Sequence, residues 1–142
     1  MSYRLIVPVV MLALGAGCIA ATPTPGQSIA SFVEDGRDYA LVSVNGQPPT
    51  RPLDLTIFEV TAFGRPAFKI CGECMCITGV FTADYPSLGI RPTSASPTFA
   101  CEDATTTIEA DSAAPFLAMT RADVSEGQIV VADDDGQTMV FR

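Results

Sequence analysis

Residues 69–81 read KICGECMCITGVF and place Cys71, Cys74 and Cys76 within a C-x-x-C-x-C spacing. The other cysteines are Cys18 and Cys101, five in all. Thiols this close can hold a soft metal, exchange electrons, or close on one another. A thiolate zinc site needs four sulfurs in a tetrahedron, commonly from two separated C-x-x-C pairs. Here one such pair exists, so Cys101 would have to be the fourth ligand. Met75 adds a thioether among the thiols, a donor set that suits Cu(I). A thioredoxin-like couple needs its C-x-x-C at a helix start in an α/β fold, whereas the residues around 69–81 pattern as strands. In an oxidising compartment disulfides are the default outcome. On balance the pattern predicts disulfides, with no metal and no other cofactor. In an extended strand Cys74 and Cys76 project from one face about 7 Å apart, too far to bond to each other. That disfavours 71–101 with 74–76 and leaves the other two pairings open.

Composition narrows the chemistry further. The chain contains no histidine, which removes Ser-His-Asp and Cys-His catalysis and histidine-ligated metals in their usual forms. Sixteen acidic residues against eight basic ones give a net charge of −8. That balance speaks against nucleic acid, whose phosphates need Lys and Arg, and against a polybasic membrane patch. An electrostatically steered partner would be cationic. With so many carboxylates, chance pairs are inevitable, so a two-carboxylate glycosidase is a weak expectation and the protein is read as no enzyme. Asp133-Asp134-Asp135-Gly136 reads as a hairpin turn rather than a calcium loop, which needs more oxygen ligands at set spacing.

The compartment is read from the N-terminus. Arg4 precedes an apolar run from Leu5 to about Ala16, too short to span a bilayer. Small residues and then Thr/Pro-rich sequence follow, the layout of a secretory signal over 1–17. The run ends Leu14-Gly15-Ala16-Gly17-Cys18, which resembles a bacterial lipobox. Cleavage before Cys18 would let its thiol carry a lipid anchor; the alternative is an ordinary cut near Ala20 or Ala21. Either route leaves Cys71, Cys74, Cys76 and Cys101, an even set that can pair fully. Removing 1–17 removes Arg4 and takes the net charge from −8 to −9. Residues 18–37 are expected to be a lipidated tether, with little to bury in 19–31. The remainder, 38–142, suits one domain with a single core.

The elements that must position the cysteines are short. Strands are predicted over 38–46, 53–60, 67–71 and 77–85, and 87–92 reads as short and extended. Leu53, Leu55 and Ile57 share one face of the second; Phe68 and Ile70 share one face of the third. Gly79 inside the fourth suggests a bulge or a close neighbour. A helix is predicted over 102–114, with Ile108, Phe116 and Met119 at roughly helical spacing, Glu102 and Asp103 at its positive end, and Pro115 ending or kinking it. Two apolar strands, around 128–132 and 137–141, flank the aspartate turn. The expectation is an α+β, mostly β domain.

In this order the motifs resemble the META domain family, the HslJ type of heat-inducible lipoprotein. The resemblance rests on Tyr39 to Asn45-Gly46, on Cys74 followed by Gly79 and Phe81, on Thr98-Phe99-Ala100-Cys101, on Glu109 in the helix, and on the closing hairpin Ile129–Val131 to Val140-Phe141. It covers about residues 38–142. Glu73 and Met75 depart from the family's glycine and asparagine, Tyr39 stands where tryptophan is common, and Cys71 and Cys76 are additions.

The resemblance implies a strongly curved antiparallel sheet of short strands with one packed helix. It implies that Cys74 and Cys101, the family positions, pair with each other, which leaves Cys71 for Cys76; 71–74 with 76–101 is the alternative. It also implies a non-enzymatic envelope lipoprotein facing the periplasm, outer membrane rather than inner, held by its anchor at Cys18 and related to stress or envelope integrity. Its partner would be an envelope protein or a small ligand. The alternative is an acidic inhibitor of a cationic secreted protein such as lysozyme.

Overall fold

Strands form where alternate residues can be buried on one face. The computed structural model describes residues 22–59, 64–97 and 101–142. Eight strands build one antiparallel sheet: β1 (Asp38–Val44), β2 (Asp54–Phe58), β3 (Ala67–Cys71), β4 (Met75–Phe81), β5 (Ile90–Pro97), β6 (Arg121–Ser125), β7 (Gln128–Ala132) and β8 (Thr138–Phe141). Their order is β5-β4-β3-β2-β1-β8-β7-β6. Two meanders, β1–β5 and β6–β8, therefore join where β1 pairs with β8, Leu41 opposite Phe141. The helix α1 (Asp103–Leu117) connects them and packs against β4 and β5. The fold is mostly β with one helix, and the sheet curls into a half-barrel. The loop before β5 reaches the far edge: Leu88 N–H donates to Thr120 O and Ala122 N–H to Pro86 O, each within 2.9 Å.

The core fills the concave side. Tyr39, Leu41, Leu53, Leu55, Ile57, Phe68, Ile70, Ile77 and Phe81 from the first meander meet Ile129, Val131, Met139 and Phe141 from the second. A chain of rings runs across it. Phe68 lies 5.3 Å from Phe81 and 5.2 Å from Phe116, and Phe116 lies 6.0 Å from Phe141. Burying each such ring contributes about 1.5–3 kcal/mol. Phe116 is thus the helix's anchor in the sheet.

Several boundaries differ from the sequence reading, each for a physical reason. The fourth strand begins at Met75 and ends at Phe81, because Thr82 turns away with its N–H and Oγ1 both donating to Gly89 O. The fifth occupies 90–97 and is exposed along nearly its whole length. It is an edge strand carrying Pro92 and Pro97, which edges tolerate, so it lacks an apolar alternation. β6 was not foreseen; Ala122 and Val124 are its buried positions. The helix continues through Pro115 to Leu117, since proline in the last turn forfeits one backbone bond without violating helical φ. Its buried stripe is Glu109, Ala113 and Phe116, the i, i+4, i+7 spacing. Ile108 faces out, 47% exposed.

The expected tether also needs correction at its far end. Residues Ile29–Phe32 form a 3-10 turn capped by Ser28, and Ile29 and Ala30 are buried in the core. Gly26 N–H donates to Tyr85 O and Tyr85 N–H to Gln27 O. The packed domain therefore starts before residue 38. Positions 1–21, the signal and Cys18 among them, lie outside the described residues.

Candidate functional site

β3 and β4 form a hairpin in which Cys71 and Cys76 are directly opposite. Their Cα atoms are 4.1 Å apart and their sulfurs are bonded. Opposed residues of an antiparallel pair come closest where they exchange no backbone hydrogen bonds. The bond pattern puts the exchange one step further on, with Gly72 N–H donating to Met75 O at 2.8 Å. The two cysteines are thus placed for a bridge by register alone. Both are partly exposed.

Cys74 sits in the turn between them and is buried, 2% exposed. It bonds Cys101, just before α1, across 27 positions of sequence with Cα atoms 5.5 Å apart. A turn that projected freely could not reach the helix. The second tie is the Glu109 carboxylate, also 2% exposed. Its Oε1 accepts from Glu73 N–H at 3.0 Å and its Oε2 from Cys74 N–H at 2.6 Å. A buried carboxylate is costly unless its oxygens are satisfied, and here amides of the turn satisfy them. Gly72 completes the arrangement: a Cβ there would collide with the Glu109 carboxylate. A larger residue at Gly72 would have to displace that carboxylate from the two turn amides.

The expected site residues divide accordingly. Cys71, Cys74, Cys76, Cys101 and Glu109 gather at this corner. Sulfurs bonded to one another present no thiolate for zinc or copper, and Met75 packs against the core. Gly79 and Phe81 serve the core instead. A Cβ at Gly79 would collide with the Arg91 carbonyl and the Phe68 ring, where the β4–β5 register shifts; Phe81 is buried beside Phe68. Thr98 lies outside the described residues. The aspartate turn is a turn, with Gly136 at φ 87°. Asp133 Oδ1 accepts from Asp135 N–H and Gln137 N–H, and Oδ2 from Gln137 Nε2. Gly72 and the two amides were not singled out by sequence. The signal that could have found them is an acidic residue in the one buried stripe of the helix.

A second feature is a cleft of about 460 Å³ between the β1–β2 connection and α1. Leu41, Val44, Pro48, Pro49 and Ile108 line it, together with Arg51 and Asp111. It gathers Ile108, one of the exposed large apolar side chains among the described residues.

No family model matches the chain, and no curated protein matches it. An NMR structure of a protein from Burkholderia xenovorans is similar, with a TM-score of 0.53 and 17% identity over 92% of this chain and 97% of that chain. At that identity the similarity concerns the fold.

Proposed function

We propose that the protein is a non-enzymatic, exported envelope lipoprotein of the META domain kind, anchored at Cys18, that acts by binding. One observation carries this reading: the cysteine cluster is closed into disulfides, and its Cys74–Cys101 bond and a buried helix carboxylate tie the fold together. The four cysteines 71, 74, 76 and 101 are bonded in pairs, and the buried Glu109 holds a turn. Two disulfides in one small domain suit an oxidising compartment outside the cytosol. The Ile108 cleft is the surface on which a partner or small ligand would rest. The anchor is tested in the native host by metabolic labelling with a radioactive fatty acid. Label on the wild type and none on Cys18→Ala is expected; an unlabelled wild type overturns the anchor. A deletion strain with unchanged heat and detergent tolerance would count against an envelope role.

A second reading, capture of a cationic secreted protein, is favoured by one cluster. Glu34, Asp35, Asp38 and Glu59 are all exposed near the start of β1, and Asp35 Oδ1 accepts from Glu59 N–H, which draws the group together. Arg37 pairs with Glu34 at 3.5 Å and offsets only part of that charge. Retention of lysozyme at low salt, lost at high salt, supports this reading; no retention at low salt removes it.

A further inference from the structure

We infer that Cys71–Cys76 is an exchangeable disulfide, a site of thiol–disulfide exchange for a small or protein dithiol, while Cys74–Cys101 is a fixed structural bond. The two bonds meet at one hairpin but differ in burial and in what holds their cysteines together: Cys71, Cys76 and Cys101 are partly exposed, and Cys74 alone of the four is buried. The first lies on the sheet surface with both cysteines partly exposed. The second has a fully buried partner in Cys74, tucked under α1 against Glu109. An attacking thiolate must reach a sulfur in line with the bond, so access separates them.

What happens after cleavage separates them further. Cys71 and Cys76 are held opposite each other by the β3–β4 ladder, which runs from Ala67 opposite Val80 to Cys71 opposite Cys76. Gly72 N–H to Met75 O continues it past the cysteines. None of those backbone bonds depends on the sulfurs. The reduced pair therefore stays within bonding distance and can close again. Cys74 and Cys101 are not opposed on a ladder: the β4–β5 pairing ends at Met75 opposite Pro97, and the disulfide and the Glu109 contacts tie the turn to the helix beyond it. Opening the disulfide removes one of the ties between the turn and the helix and leaves the other to the Glu109 carboxylate.

The exchange balances as follows. A thiolate of the dithiol attacks one sulfur of the pair, forms a mixed disulfide and expels the other cysteine as thiolate, which takes up a proton. The second thiol of the reagent, deprotonated, attacks its own sulfur in the mixed disulfide and releases the remaining cysteine. The protein pair gains two electrons and two protons; the dithiol loses them and becomes a cyclic or internal disulfide.

The test treats the oxidised, intact chain with limiting dithiothreitol, quenches with an alkylating agent at intervals and maps the labelled peptides. Cys71 and Cys76 should be labelled at least about tenfold faster than Cys74 and Cys101, as expected when access differs between bonds. The two-thiol form should keep the near-ultraviolet circular dichroism of the oxidised protein, and removal of the reductant under a glutathione disulfide buffer should restore the bond. Equal rates, or earlier opening of Cys74–Cys101, overturn the assignment. So does loss of tertiary signal in the two-thiol form, or failure of the pair to re-form. The double variant Cys71→Ala/Cys76→Ala checks the same point without reductant: a cooperatively folded protein supports exchange, and an unfolded one overturns it.

Discussion

The two meanders fix their hairpins by different means. The β3–β4 turn is nailed down from outside itself, by the bond to Cys101 and by a carboxylate projecting from α1. The turns of the second meander are held mainly by their own residues, with an outside contact in Thr120 Oγ1 donating to Asp134 Oδ1 at 2.8 Å. Asp133 folds its own loop with three acceptor contacts, and Glu126-Gly127 joins β6 to β7 in two residues at φ 50° and 74°. The difference follows from what each hairpin must do. Self-contained turns need only set register. The β3–β4 turn must also hold a helix whose first turn buries no residue and whose anchoring Phe116 lies near the other end. Remote ties make a corner strong and dependent on a few residues. Local turn chemistry makes a region weaker per turn and independent of the rest.

The largest effect should come from cutting the remote tie. Cys74→Ser/Cys101→Ser removes a closure over 27 positions, worth about 3–4 kcal/mol in the loop-entropy account. The melting temperature should fall by roughly 10–20 °C for a domain of this size, with the sheet's far-ultraviolet signal retained. A drop under a few degrees would mean that Glu109 and packing alone hold the corner.

Glu109→Gln should come next. The amide keeps one acceptor oxygen and turns a donor towards the other backbone N–H, so one of the two turn contacts is lost in a buried place. The expected cost is about 1–3 kcal/mol, seen as a lower urea midpoint at unchanged slope. Combined with Cys74→Ser/Cys101→Ser, it should depart from additivity by more than ~0.5 kcal/mol, because both changes loosen one junction. Asp133→Ala should cost a similar or smaller amount, about 1–2 kcal/mol, yet add to the cysteine variant within ~0.5 kcal/mol. Additivity at Glu109, or coupling at Asp133, would erase the distinction between remote and local ties.

Much of this was legible in the sequence, and the remainder fails for identifiable reasons. Leu53, Leu55 and Ile57, and Phe68 with Ile70, alternate because one face is buried, and they are buried. The Asn45-Gly46 turn was plain from its residue types, and Asn45 adopts φ 51°. β5 was blurred because an exposed edge strand imposes no alternation. β6 was missed because its signal is only Ala122 and Val124, and its turn opens with glutamate. Of the residues at helical spacing, Phe116 and Met119 are buried, while Ile108 faces out and the buried position beside it is the charged Glu109. Hydrophobic periodicity cannot mark a stripe that contains a carboxylate. That carboxylate's partners, the amides of Glu73 and Cys74, carry no residue-type signal at all.

The smallest predicted effect has the opposite sign and isolates turn chemistry from everything else. Asn45-Gly46 and Glu126-Gly127 adopt nearly the same pair of positive φ angles, 51° and 77° against 50° and 74°. Positive φ at the first position is tolerated by asparagine and strained for glutamate, whose Cβ crowds the backbone by about 1 kcal/mol. Asn45 also accepts from Thr138 N–H through Oδ1 at 2.8 Å, whereas Glu126 is exposed. Glu126→Asn should therefore stabilise the protein by about 0.5–1 kcal/mol, raising the melting temperature by a few degrees. The substitution also removes a negative charge from an acidic protein, which could raise stability on its own. Glu126→Gln separates the causes, since it removes the charge and keeps the strain. A gain in Asn that Gln does not reproduce assigns the effect to φ; equal gains in both assign it to charge and refute the turn argument.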